Sequence, residues 1–135
     1  MNVLNSFSFE LPTRIEYGVG AIGKLVESVQ ELGSRKVLIV TDGGIEASGL
    51  LSDISDQLST ARMEYEIFSE VEPNPKDHNV HAGAKIAKGI QADCLVAVGG
   101  GCLCECGKAC AVLGTHGGGV RDYVGGHKIS GFVLP

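Results

Sequence analysis

Positive charge is in short supply in this sequence: 11 Lys and Arg stand against 16 Asp and Glu among 135 residues, a net charge of −5. A nucleic acid or an anionic membrane surface calls for a basic face, so the balance argues against both as partners. Long apolar runs are missing too. Nothing approaches the ~18 consecutive apolar residues of a membrane span, and the stretch Met1–Glu10 has neither the basic start nor the apolar run of a signal peptide. No repeat of ~20–50 residues and no low-complexity linker occurs. The order Ser-His-Asp and the nucleophile elbow are absent, and Glu105 has no second acid to form an acid–base pair. The five cysteines are odd in number, with four packed between positions 102 and 110. A spaced disulfide framework is therefore not expected, and reduced thiols point to the cytoplasm.

What is present is apolar content of 44% and 20 glycines. The first excludes disorder, and the glycines follow no collagen period. The length suits one domain with an ordinary core that needs no disulfide or metal to fold. Charge is unevenly placed. Residues 1–75 carry five basic and twelve acidic side chains, and residues 76–135 six and four, so an anionic ligand is electrostatically favoured in the second half.

Lys36-Val-Leu-Ile-Val-Thr41 and Asp93-Cys-Leu-Val-Ala-Val98 are near-continuous apolar runs ending in glycines, as expected of parallel strands covered on both faces. Glu64-Tyr-Glu-Ile-Phe-Ser69 alternates and is expected nearer an edge, and Ser130–Leu134 is expected to begin a further strand. Helical spacing links Ile22, Leu25, Val26, Val29 and Leu32, then Ala47 to Ala61, then Val80, Ala84, Ala87 and Ile90, then Cys102, Cys106, Cys110 and Leu113. Alternating strands and helices predict an α/β, Rossmann-like parallel sheet flanked by helices, with a ligand crevice at the carboxyl ends of the strands.

Two glycine clusters are candidates for holding phosphate. Gly18-Val-Gly20-Ala-Ile-Gly23 matches the dinucleotide fingerprint, and Asp42 follows 19 residues later as an acid for a ribose hydroxyl. The segment before it, Thr13–Tyr17, is short and carries two charges, which suits a plain turn better than a buried first strand. Gly99-Gly100-Gly101 leaves a fully apolar strand and enters a helix, where glycine amides and the positive helix end can cradle an anion. Cys102 is expected at or beside the cap, Glu105 one turn in and Lys108 one turn further. Asp42 at a strand end accepts from ribose hydroxyls and repels a 2′-phosphate, favouring NAD over NADP; the alternative is a capping residue before Gly43-Gly44.

The spacing Cys102-x-Cys104-x-Cys106-x3-Cys110 is neither a zinc nor a ferredoxin pattern, and a helix would turn Cys104 away from the other three. Buried small hydrophobes are one expectation for this cluster, and a non-catalytic redox or metal-binding module is the rival one. His78 and His81 suit a solvated surface, while His116 and His127 fall in glycine-rich stretches open to either role.

Three segments together resemble the iron-dependent (group III) alcohol dehydrogenases: Glu72-Pro-Asn-Pro-Lys-Asp77, Ala97-Val-Gly-Gly-Gly101 with Glu105 and Gly107-Lys108 after it, and Lys36-Val-Leu-Ile-Val-Thr-Asp42. The resemblance runs from Phe9 to Pro135 and extends in fold to glycerol dehydrogenase and dehydroquinate synthase. It implies that residues 1–135 are the N-terminal nucleotide-binding domain of an enzyme converting an alcohol to an aldehyde or ketone with NAD. Asp42 would face the adenosine ribose, Asn74 would lie near the cofactor, and Gly99, Gly100, Gly101 and Cys102 would cradle the pyrophosphate. The family pattern after the glycines is Ser-Pro-x-Asp-x-x-Lys. Lys108 keeps it, whereas Cys102 and Glu105 depart from it. The resemblance also places the catalytic iron or zinc on a helical C-terminal domain absent from these residues, implies oligomers, and predicts a cofactor-binding fragment without turnover.

Overall fold

The computed structural model describes residues 12–125 and 128–135. Three parallel strands form its sheet in the order β2–β1–β3: β1 (Lys36–Val40), β2 (Glu64–Phe68) and β3 (Cys94–Ala97). Five α-helices accompany them: α1 (Leu25–Glu31), α2 (Gly43–Ala47), α3 (Leu51–Thr60), α4 (Asp77–Ile90) and α5 (Gly101–His116). The expected Rossmann-like parallel sheet flanked by helices is what forms.

The centre of the sheet goes to the most apolar run. Val37, Leu38, Ile39 and Val40 are fully buried because β1 is paired on both edges and covered on both faces. Alternate side chains enter different cores. Leu38 and Val40 join Phe68, Val80, Ala84, Leu103, Cys106 and Cys110 under α4 and α5, while Val37 and Ile39 join Val29, Leu51, Ile54 and Leu58 under α1 and α3. The connection from β1 to β2 thus passes over one face and the connection from β2 to β3 over the other. The alternating run Glu64–Phe68 is an edge strand, its pattern matching one covered face.

Several expectations are modified. The period from Ala47 to Ala61 is divided into α2 and α3, because Gly49 takes a left-handed conformation (φ 80°) that ends α2. Of the first helical stripe only Val29 is buried, while Ile22 and Leu32 are exposed. Residues 130–134 form no strand, although the Leu95 N–H donates to Pro135 O at 2.8 Å. Thr13–Tyr17 is likewise not a strand, and Gly20 (φ 79°) caps a short 3-10 turn, Ala21–Lys24. The literal fingerprint is therefore a turn into a helix, with no strand to aim its amides.

Candidate functional site at the carboxyl ends of the strands

In an open α/β sheet the crevice opens where successive crossovers change face, which here lies between β1 and β3. The ends of all three strands are tied together at this point. Thr41, fully buried, donates its N–H to Phe68 O (2.9 Å) and its Oγ1 hydroxyl to Val98 O (2.9 Å), and the Val98 N–H donates to Val40 O (2.9 Å). Val40 pairs with Ala97 in register, so Asp42 and Gly99 each lie two residues beyond a matched pair.

Asp42 is half-buried and in extended backbone (φ −118°, ψ 165°). Its Oδ1 accepts from the Ile45 N–H at 2.8 Å, which makes it the N-cap of α2. Among the described residues its Oδ2 has no hydrogen bond. An isolated antiparallel bridge links Asp42 to Glu70 beyond the ends of β1 and β2. The capping alternative of the sequence is thus the one seen, and it engages one of the two carboxylate oxygens.

Gly99 (φ 139°) holds a backbone conformation that side chains rarely adopt, and a Cβ there would collide with Leu103 of the first turn of α5. That close approach turns the chain straight from β3 into the helix. Gly100 is the N-cap and, having no side chain, leaves the helix end uncapped. The amides of Leu103 (3.1 Å) and Cys104 (3.2 Å) turn back to Gly100 O. Those of Gly101 and Cys102 have no acceptor among the described residues, and the helix dipole adds partial positive charge beside them. Cys102 is exposed and sits two residues past the cap, so its contribution is an amide and not a capping thiol. Leu103 takes the buried stripe position expected of Cys102.

Asn74 lies on the exposed Pro-Asn-Pro loop at the same end of the sheet, in a left-handed conformation (φ 55°). A residue that the sequence reasoning missed holds this loop. Asn79, buried on the first turn of α4, accepts from the Lys76 N–H at 2.9 Å and donates through Nδ2 to Glu70 O at 3.2 Å. Its position three residues past the N-cap Lys76 is the signal that could have revealed it. Thr41 was missed because a hydroxyl at the end of an apolar run carries no sequence mark of its bridging role.

Asp42, Asn74 and Gly99–Cys102 therefore share one end of the sheet, whereas Glu105 and Lys108 climb α5 away from it. At 1.5 Å per residue, Lys108 lies roughly 10 Å along the axis from Gly101. It lines an apolar groove of about 370 Å³ with Leu95, Ala97, Cys104 and Ala111 on the outer side of β3. Gly107 packs there against Ala97.

The histidines are separate from this end or already engaged. His78 Nε2 is 2.9 Å from Glu72 Oε2, His81 is exposed, and His116 ends α5 instead of lying in a loop, its ring tilted against Tyr123. His127 lies outside the described residues. Among the described residues no three His, Cys, Asp or Glu side chains are placed to hold a metal ion. The donor set of a catalytic metal is thus not formed by them. All five cysteines are free thiols, with Cys94, Cys106 and Cys110 buried, Cys104 half-buried and Cys102 exposed. Burial, together with the neighbouring Asp93, pushes Cys94 up to about 11.

The profile of a family described as iron-containing alcohol dehydrogenase matches residues 12–133. The chain is 42% identical over 116 residues to choline dehydrogenase of Bacillus subtilis, covering 86% of this chain and 29% of that protein. It is 30% identical over 128 residues to NAD-dependent methanol dehydrogenase of Bacillus methanolicus, covering 95% of this chain and 34% of that one. The solved structure of NADH-dependent butanol dehydrogenase A from Thermotoga maritima superposes with a TM-score of 0.81 at 34% identity, over 87% of this chain and 30% of that one. The chain spans about a third of the length of these relatives.

Proposed function

The chain belongs to the iron-containing alcohol dehydrogenase family, and from that premise we propose that it is the NAD-binding domain of an enzyme converting an alcohol to an aldehyde or ketone. The observation that carries this is the uncapped N-terminus of α5 beside Asp42, at the point where the crossovers change face. Two unengaged amides on a positive helix end suit a pyrophosphate, and a carboxylate with one oxygen to spare suits a ribose diol. Gly99, Gly100, Gly101 and Cys102 hold the pyrophosphate, Asp42 the adenosine ribose, and Asn74 flanks the cofactor. Glu105 acts only through the field around the cradle, and Lys108 draws the phosphates by charge from further along α5. Asp42 sets the preference for NAD by repelling a 2′-phosphate.

A bound NAD would supply the hydride acceptor for the alcohol carbon. The residues of this chain supply binding and orientation. The described side chains do not fit the iron or zinc of the family, so metal ligation and turnover are assigned to other parts of the enzyme. Five free thiols suit a cytoplasmic setting, and the outer side of β3 suits self-association or contact with further protein.

Titration of the 135-residue chain with NADH, followed by calorimetry and nicotinamide fluorescence, tests the proposal. Weak saturable binding, tighter for NADH than for NADPH and without alcohol oxidation, is expected. Absence of any heat or fluorescence change at millimolar NADH refutes it.

A further inference from the structure

Four cysteines lie within nine positions of α5, and the fold separates them. Cys102 and Cys104 belong to the accessible first turns, whereas Cys106 (2% exposed) and Cys110 (0%) lie one above the other beneath α4. The two buried thiols stand four residues apart on α5, one turn of helix from each other. Cys110 Sγ also lies 3.5 Å from Val80 O, within reach of a weak S–H bond. Across from it is Gly83, where a Cβ would come within 2.6 Å of the sulfur, so the glycine leaves room for it. No part of the cofactor site uses either thiol.

Two thiols in an apolar wall, with no third His, Cys, Asp or Glu to complete a set among the described residues, cannot satisfy a tetrahedral ion such as zinc. They do match a soft closed-shell ion that accepts two thiolates in line, since softness and geometry select the metal. Two bonds of ~2.3 Å, the length of a zinc–thiolate bond, place sulfurs ~4.6 Å apart. Side chains four apart on a helix have Cβ atoms ~5–6 Å apart, so side-chain rotation alone supplies that spacing.

We propose that Cys106 and Cys110 form a buried two-thiol site for a soft univalent metal ion of the copper(I) type. Ligation replaces two S–H bonds by two S–metal bonds and releases both protons to solvent, and no electron is transferred. The site is independent of NAD binding and stands or falls without it.

The test uses the full chain, reduced and anaerobic, titrated with copper(I) against a chromophoric chelator. One ion per chain is expected, with X-ray absorption showing two sulfur neighbours and no lighter ones. Binding should persist in the Cys102→Ser/Cys104→Ser double variant and be lost in Cys106→Ala and in Cys110→Ala, their folding checked by circular dichroism. Absorption spectra of the unaltered chain need no variant, so a variant that fails to fold does not block the decision. Three or more sulfurs, nitrogen or oxygen neighbours, full binding without Cys106 and Cys110, or no retention against the chelator overturns the proposal.

Discussion

Asp42 has one observed duty and one proposed, and substitution can divide them. Its Oδ1 caps α2 through the Ile45 amide at 2.8 Å, and in the proposed complex Oδ2 accepts from the ribose. Asp42→Ala removes both. Loss of the cap costs about 1 kcal/mol, which lowers the unfolding temperature of a domain of this size by about 4 °C. Loss of a hydrogen bond to a charged acceptor costs about 1.5–3 kcal/mol, or about 10- to 150-fold in affinity for NADH. Asp42→Ser keeps a capping oxygen on the shorter side chain and removes the carboxylate. It should unfold within about 1 °C of the parent, because serine caps nearly as well as aspartate. It should nevertheless lose the same affinity for NADH, and its preference for NADH over NADPH should shrink as the repulsion of the 2′-phosphate disappears. Scanning calorimetry gives the first quantity and titration with each cofactor the second. If Asp42→Ser binds NADH as tightly as the parent, Asp42 is a cap and nothing more, and its assignment to the cofactor is wrong.

Two further outcomes concern stability. Gly107→Ala places a Cβ 2.9 Å from that of Ala97 and forces α5 off β3, whereas Gly89→Ala on α4 meets nothing within 4 Å. In urea unfolding the first should lose about 1 kcal/mol net, overpacking exceeding the helix-propensity gain, and the second should gain about 0.5–1 kcal/mol; the reverse order would contradict the packing described. Cys94 ionises near 9.0 when unfolded and at about 11 when folded. Between those values the unfolded chain has lost the proton that the folded chain keeps, so stability falls as pH rises, by roughly 1.4 kcal/mol per pH unit. Cys94→Ala should remove that contribution to the slope, and identical slopes in the two proteins would show that burial does not hold the thiol neutral.

The strands were legible because a segment buried on both faces must be apolar throughout, as Val37–Val40 is, and an edge strand must alternate, as Glu64–Phe68 does. The glycine turn after β3 was legible for a related reason: three glycines following a buried run serve little except a tight turn or a close approach to a ligand. Division of the second helix at Gly49 was not visible in its apolar period, since the stripe continues across the break. The place of Cys102 was missed because one residue of helix turns a side chain by 100°, and only the packed position of Gly99 against Leu103 decides which residue of α5 faces inward.

The sequence by itself determined the alternation of strand and helix, the central place of Lys36–Val40 and the glycine turn that follows β3, because burial and turn chemistry act over a few neighbouring residues. Only the tertiary structure decided that Asp42 caps α2, that Thr41 ties the strand ends together and Asn79 holds the Pro-Asn-Pro loop, and that Cys106 and Cys110 are buried apart from Cys102. Those facts depend on strand order and helix rotation, which are set by the joint packing of segments distant in the chain.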